Sequence, residues 1–408
     1  MKRDLIITFI TEIFVLIAGL LTYKFASEFF GEVSFSKYAL IKRNVSYLSS
    51  ALFLGMPVAI PRYVALKSKQ KPLSDSYFLS GILLLYFVLL FFVILLFVFD
   101  KQVSFLLFGK VEYADLITPM ILFLSGLIIH SSVYSYFRGN MLMVKANLLQ
   151  FIDLALIPVF SFFMFDNIIS VISLTGLLIM SVSSIVLVVL MLNMKERKIS
   201  FEKSKTIFLY GIQRVPGDFG LSSLLSLPAI FAAHLSTTVE AGYVAFAISL
   251  LRMTGAFFAP LGLVLLPATA KIVSEKNYAQ IKKYVRFLLI TSLTLTFFGV
   301  LLYEIAGGFI LSIYLGEYSG ELLTITKVVI FGAFGYDIFV SLRSIIDGYY
   351  FKAENTINII IVLALFLLMS VLIFILQLSN IYILYSFVLS VIILGILTVI
   401  KGFSIGKD

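Results

Sequence analysis

Apolar residues run along this chain in long blocks, and polar residues gather in the short stretches between them. A helix crossing a hydrocarbon layer of about 30 Å needs about 20 predominantly apolar residues at 1.5 Å each. Blocks of that length fall at 5–29, 36–65, 77–99, 116–137, 148–165 and 168–192 in the first half. In the second half they fall at 207–235, 239–270, 285–303, 322–346, 357–376 and 381–400. The pattern predicts an all-α integral membrane protein of about twelve spanning helices. Only Asp166 and Asn167 separate the fifth block from the sixth, so they must form a tight turn. The longest connections, 271–284 and 304–321, are too short to fold as soluble domains. The first block shows no small-residue cleavage pattern and reads as a span, not as a removable signal.

Composition agrees. The chain is 61% hydrophobic and 13% charged, about half the ~25% charge of a soluble domain. It has no cysteine, which excludes disulfides and thiolate metal sites, and only His130 and His234 as imidazoles. No catalytic group, metal centre or cofactor is expected. The net charge of +9 does not indicate nucleic acid, because the basic residues sit in small clusters between apolar blocks. With the N-terminus inside, 21 of the 31 Lys and Arg lie on the inner side, and only Lys24, Lys37, Lys101 and Lys110 on the outer. Cytoplasmic loops collect positive charge, so both termini are expected in the cytoplasm.

Related features recur at half the length of the chain. Pro61 closes Leu-Gly-Met-Pro-Val-Ala-Ile-Pro and Pro267 closes Leu-Gly-Leu-Val-Leu-Leu-Pro, each before a basic loop, and Gly139 and Gly348 each follow a charged residue at the end of a span. Two parallel six-helix repeats follow, related by an axis along the membrane normal. The expected organisation is a lobe over 1–194, a cytoplasmic linker over 195–205 and a lobe over 206–408, with cargo bound in a central cavity between lobes.

The segment Tyr210-Gly-Ile-Gln-Arg-Val-Pro-Gly-Asp218, the segment Glu240-Ala-Gly-Tyr-Val-Ala-Phe-Ala247 and the Pro61 motif carry a resemblance. The chain resembles the polysaccharide-transporter branch of the multidrug/oligosaccharidyl-lipid/polysaccharide (MOP) exporter superfamily, which includes the O-antigen flippases of the Wzx type. The resemblance spans the whole chain in span number, duplication and landmarks. It implies a MATE-like pair of lobes around a V-shaped cavity in the bacterial cytoplasmic membrane. It implies alternating access that moves a polyprenyl-pyrophosphate-linked oligosaccharide, an O-antigen or other surface-glycan repeat unit, to the outer leaflet. Glycosyltransferases and a polysaccharide polymerase are the implied working partners.

Ionisable groups inside the spans are the candidate functional residues, because each costs at least ~2.5–3.5 kcal/mol at the bilayer centre. Arg252 lies deepest, and Arg214 follows as a contact for cargo phosphate or a local partner of Asp218, one turn away. Lys42 and Arg43 are near the outer end of the second span, where snorkelling is the plain alternative. Adjacent helical residues diverge by about 100°, so at most one of these two faces the cleft. A carboxyl withdrawn from water resists ionisation, which makes Asp337, Asp218 and Glu12 candidates for coupling to H⁺ or Na⁺. Asp153 is expected at the interface and His130 in a bond between helices. Lys24, Lys327 and Arg343, near span ends, are expected to snorkel. An ion-coupled multidrug exporter of the same superfamily is the alternative, but it should present carboxylates where this chain has Arg252 and Arg214. A membrane glycan polymerase would need a large outer loop with acid or base groups, and the outer loops are short.

Overall fold

A computed structural model describes residues 2–66, 71–194, 198–258, 265, 269, 272–273, 277–316, 318–350 and 352–406. Residues 195–197 of the expected linker, Pro260 and the 261–267 repeat motif (apart from residue 265) lie outside them. The contacts divide the chain into two compact units, Met1–Phe219 and Gly220–Asp408.

Unit 1 begins with α1 (Lys2–Leu52), α2 (Met56–Leu66), α3 (Lys71–Val98), α4 (Asp100–Phe108) and a 3₁₀ turn, Val111–Leu116. It continues with α5 (Ile117–Gly139), α6 (Met143–Phe151), a π-helical turn (Ile152–Leu156), α7 (Ile157–Ser161), α8 (Ile168–Leu192) and α9 (Phe201–Ile212). Helix α10 (Val215–Leu235) starts in unit 1 and runs into unit 2. Unit 2 then holds α11 (Thr238–Ala256), α12 (Tyr278–Leu315), α13 (Gly320–Ile330), α14 (Ala333–Tyr349), α15 (Glu354–Ile375) and α16 (Ile381–Ser404).

Among the described residues nine helical stretches are long and apolar enough to cross a bilayer, and α13 with α14, bent by 45° at their junction, make a tenth. Helix α1 supplies two spans. It is broken at Gly31 (φ 75, ψ −178), and the Tyr23 and Tyr38 rings stand 5.4 Å apart. Those residues would be over 20 Å apart along a straight helix at about 1.5 Å per residue, so the two arms lie side by side. Helix α11 lies at the position of the expected eighth span but carries Glu240 and Arg252 and is not among the stretches apolar enough to be counted.

Side chains divide by surroundings. In α5 fifteen of 23 residues are buried, whereas Phe87, Leu90 and Phe91 on α3 are 58–71% exposed. Such apolar exposure suits hydrocarbon contact. Helices in lipid gain little from apolar contact alone and pack through small residues and polar bonds. In unit 1, Gly55 (φ 68) ends a break after the second arm of α1 and lies against Gly211 of α9. A Cβ on Gly55 would run into the Gly211 carbonyl, and one on Gly211 into the Leu54 carbonyl.

The turn expected at Asp166 and Asn167 is present, and Asn167 caps α8 by accepting from the Ser170 N–H at 2.8 Å. The loop expected over 304–321 is not. Helix α12 runs unbroken for 38 residues, about 57 Å at 1.5 Å per residue, to Leu315. Glu304, which marks a span end in the sequence, is received by Lys327 of α13, 3.4 Å from its carboxylate and 2.7 Å from its carbonyl. Lys24 and Arg343 also have partners, Glu28 at 3.4 Å and Asp347 at 3.8 Å.

The Gly55–Gly211 contact gives a stability test. Overpacking a tight contact costs about 1–3 kcal/mol, so Gly211→Val should lower the melting temperature of the detergent-solubilised protein by several degrees. Gly299→Ala, where nothing lies within 4 Å of the added carbon, should leave it unchanged.

Candidate functional site

The fold of α1 decides where Lys42 and Arg43 point. The second arm turns Lys42 back onto the first, with its Nζ 4.5 Å from the Tyr23 ring centroid and 5.2 Å from that of Tyr38. Aromatic faces attract ammonium groups through the ring quadrupole, so this half-buried lysine is held inside the helix pair. Arg43 points away from it and is buried, with 3% exposure.

Arg214 occupies the turn between α9 and α10, where it is exposed. Its Nη2 donates to Tyr210 Oη at 3.3 Å, and Arg62 Nη1, from α2, donates to the same oxygen at 2.6 Å. Their guanidinium carbons stand 5.5 and 4.4 Å from the Tyr210 ring centroid. Partial burial opposes ionisation of Tyr210, but the bonds and charges of Arg214 and then Arg62 outweigh it. The phenol's pKa therefore lies below its ordinary value. Tyr210 sits on α9, ahead of the span Val215–Leu235.

The acids are placed differently. Glu12, exposed on α1, accepts from Gln150 Nε2 of α6 at 3.0 Å. Asp218 is half-buried in the first turn of α10. Asp153 is not at the interface as expected but is fully buried. Ile157 N–H bonds back to Ile152 O, five residues earlier, just before Pro158, which has no N–H to donate. The widened turn presents Asp153 to its neighbours. His130 Nδ1 of α5 donates to Asp153 Oδ2 at 2.8 Å, and Ser183 Oγ of α8 donates to the same oxygen at 2.6 Å. Nearer the end of α5, Tyr136 Oη donates to buried Asp75 at 2.7 Å.

In unit 2, Asp337 of α14 is buried at 2% exposure. Its Oδ1 accepts from Thr254 of α11 and its Oδ2 from Thr296 of α12, each at 2.7 Å. Three helices thus converge on one carboxyl group. Arg252 is exposed on α11, two residues before Thr254. Among the described residues no group of three or more His, Asp or Glu is close enough to hold a metal ion.

The structure brings Arg214 together with Arg62 and Tyr210, and Asp337 with Thr254 and Thr296. Arg62 falls within the second apolar block, 36–65, and only the i, i+4 spacing of Tyr210 and Arg214 is visible in the sequence. Nothing in the sequence marked the two threonines.

No protein-family model matches the sequence, and no curated protein does. Solved structures match over nearly the whole chain. A multidrug-resistance MATE-family transporter of the MOP superfamily, in an inward-facing conformation, gives a TM-score of 0.76 at 15% identity, covering 98% of this chain and 97% of its own. The lipid II flippase MurJ, in an inward closed conformation, gives 0.72 at 17% identity, covering 99% and 87%. A MOP-superfamily transporter from Pyrococcus furiosus, described as having a binding pocket of reverse polarity that suggests a different function, gives 0.67 at 14% identity, covering 98% and 95%. With at least nine helical stretches among the described residues long and apolar enough to cross a bilayer, the chain is a multi-pass membrane protein whose fold is similar to that of these transporters.

Proposed function

We propose that this protein is a flippase for a polyprenyl-pyrophosphate-linked oligosaccharide, the repeat unit of a surface polysaccharide. It works in the bacterial cytoplasmic membrane with both termini in the cytoplasm. Lobes 1–194 and 206–408, joined by the linker 195–205, alternate access to the two leaflets. Glycosyltransferases supply the cargo and a polymerase consumes it.

One observation carries this reading. Lys42, on the second arm of α1, is held against the Tyr23 and Tyr38 rings, which steady a cation without cancelling its charge. Asp153, by contrast, is bonded through one oxygen to His130 and Ser183, and Asp75 through one oxygen to Tyr136. An anionic headgroup needs fixed cations in a water-poor setting, where charge-assisted bonds are strongest. A cationic drug would need available carboxylates there. The reverse pocket polarity described for the Pyrococcus furiosus transporter supports such variation on one fold, and the likeness to a lipid II flippase supports a lipid-linked cargo. Asp337, between Thr254 and Thr296, is the coupling group for H⁺ or Na⁺.

Lys42→Ala and Arg252→Ala should each abolish surface glycan display in cells at unchanged protein level, and Arg252→Lys should restore part of it. Normal display in both Ala variants would remove these cations from the mechanism. Asp337→Asn should keep cargo binding but slow transport under an imposed pH or Na⁺ gradient. A rate equal to wild type under both gradients would exclude Asp337 from coupling.

A further inference from the structure

We propose that Arg62, Arg214 and Tyr210 form a receiving site for the diphosphate of the cargo, beside a tyrosine face that takes the first sugar ring. The identity of the cargo rests on the flippase reading; the site itself rests on the following geometry.

Two guanidiniums converge on one phenol oxygen, Tyr210 Oη. Each has five N–H donors in a planar fork, and the phenol oxygen takes one from each. Among the described residues neither arginine has a carboxylate at ion-pair distance, and both are exposed. Like charges sharing an acceptor repel, and an anion between them relieves the repulsion while filling the remaining donors. Arginine forks match phosphate oxygens in pairs, so two forks suit a diphosphate better than a single phosphate. The phenol oxygen stands where a phosphate oxygen would accept.

The surroundings extend this chemistry. Tyr63 stacks on Tyr77 with ring centroids 5.3 Å apart and an interplanar angle of 19°. Tyr63 also meets Tyr210 edge-on at 5.9 Å. Lys203 Nζ lies 5.5 Å from the Tyr77 ring centroid and donates to Ser76 Oγ at 2.7 Å. An aromatic face next to an anion site is the arrangement that a sugar diphosphate requires. The site is also held in place. Ser204 Oγ donates to the Ser80 carbonyl at 2.8 Å, and the Ser200 N–H to Ser80 Oγ at 3.0 Å, fixing α9 to α3. With Gly211 against Gly55, the short α9 becomes a rigid support, and prepositioned donors bind without paying for ordering.

The test titrates purified protein, in uncharged detergent at low salt, with inorganic pyrophosphate, geranyl diphosphate and inorganic phosphate, following heat by calorimetry. Pyrophosphate and geranyl diphosphate should bind saturably and at least about tenfold more tightly than phosphate. Arg62→Gln and Arg214→Gln should each weaken binding by about tenfold or more. Tyr210→Phe removes the competing oxygen but keeps the ring, so it should bind the diphosphates more tightly than wild type. A second arm repeats the titration in nanodiscs with and without phosphatidylglycerol. Unchanged diphosphate affinity in both bilayers supports the site. Absence of saturable pyrophosphate binding, indifference to both Gln substitutions, or full displacement by phosphatidylglycerol would overturn it, the last marking a lipid-headgroup contact. These outcomes do not depend on transport. Diphosphate binding with normal glycan display in Lys42→Ala and Arg252→Ala cells would remove those two cations from the mechanism and leave the site standing.

Discussion

A charge carried into the hydrocarbon interior must meet a partner there, and the packing of both units follows from how that demand is met. Apolar contact has no direction and lipid competes for it, so polar bonds and small residues decide which helices adjoin. In unit 1, Asp153 ties α5 to α8 through His130 and Ser183. The π-helical turn before Pro158 lets a carboxylate at that position reach both partners. In unit 2, Asp337 draws α11 and α12 onto α14 through two threonine hydroxyls. Lys327 allows Glu304 to lie within a long helix instead of ending it.

The signs of the embedded groups are handled unequally. Carboxylates of the interior meet hydroxyls, an imidazole or a phenol from neighbouring helices. Lys42 meets tyrosine instead, held against Tyr23 and Tyr38, and outside the spans the exposed Arg62 and Arg214 lie against Tyr210 in the same way. An aromatic face steadies a cation without cancelling its charge. Such a cation still attracts an anion, whereas a carboxylate salt bridge would neutralise it.

Much of this architecture was legible in the sequence, because lipid forces apolar blocks to a fixed length. The all-helical membrane architecture, the turn at Asp166 and Asn167 and the break near Gly31 all follow from block boundaries. The misread places share one cause. A lone charge in an apolar block looks like a span end, and only a partner from a distant helix shows otherwise. Glu304 needed Lys327, and Asp153 needed His130, 23 residues away in sequence. Of the candidate site, Arg214 was visible as a cation near the start of the apolar block 207–235, and the structure places it in the exposed turn ahead of the span. Its pairing with Arg62 was not, because 148 residues separate Arg62 from Tyr210 and helical periodicity carries no information across such a gap. Thr254 and Thr296 were silent for the same reason, since a threonine in a span ordinarily bonds its own helix.

The central claim concerns the sign and nature of what crosses the membrane. Wild-type protein in proteoliposomes containing a fluorescent polyprenyl-diphosphate-linked oligosaccharide measures this directly, with an external glycosidase reporting the glycan exposed on the outer leaflet. The account predicts that the protein makes cleavable the inner-leaflet fraction, which stays protected in protein-free vesicles. Continued protection of that fraction, together with expulsion of a cationic dye from the same vesicles, would contradict it.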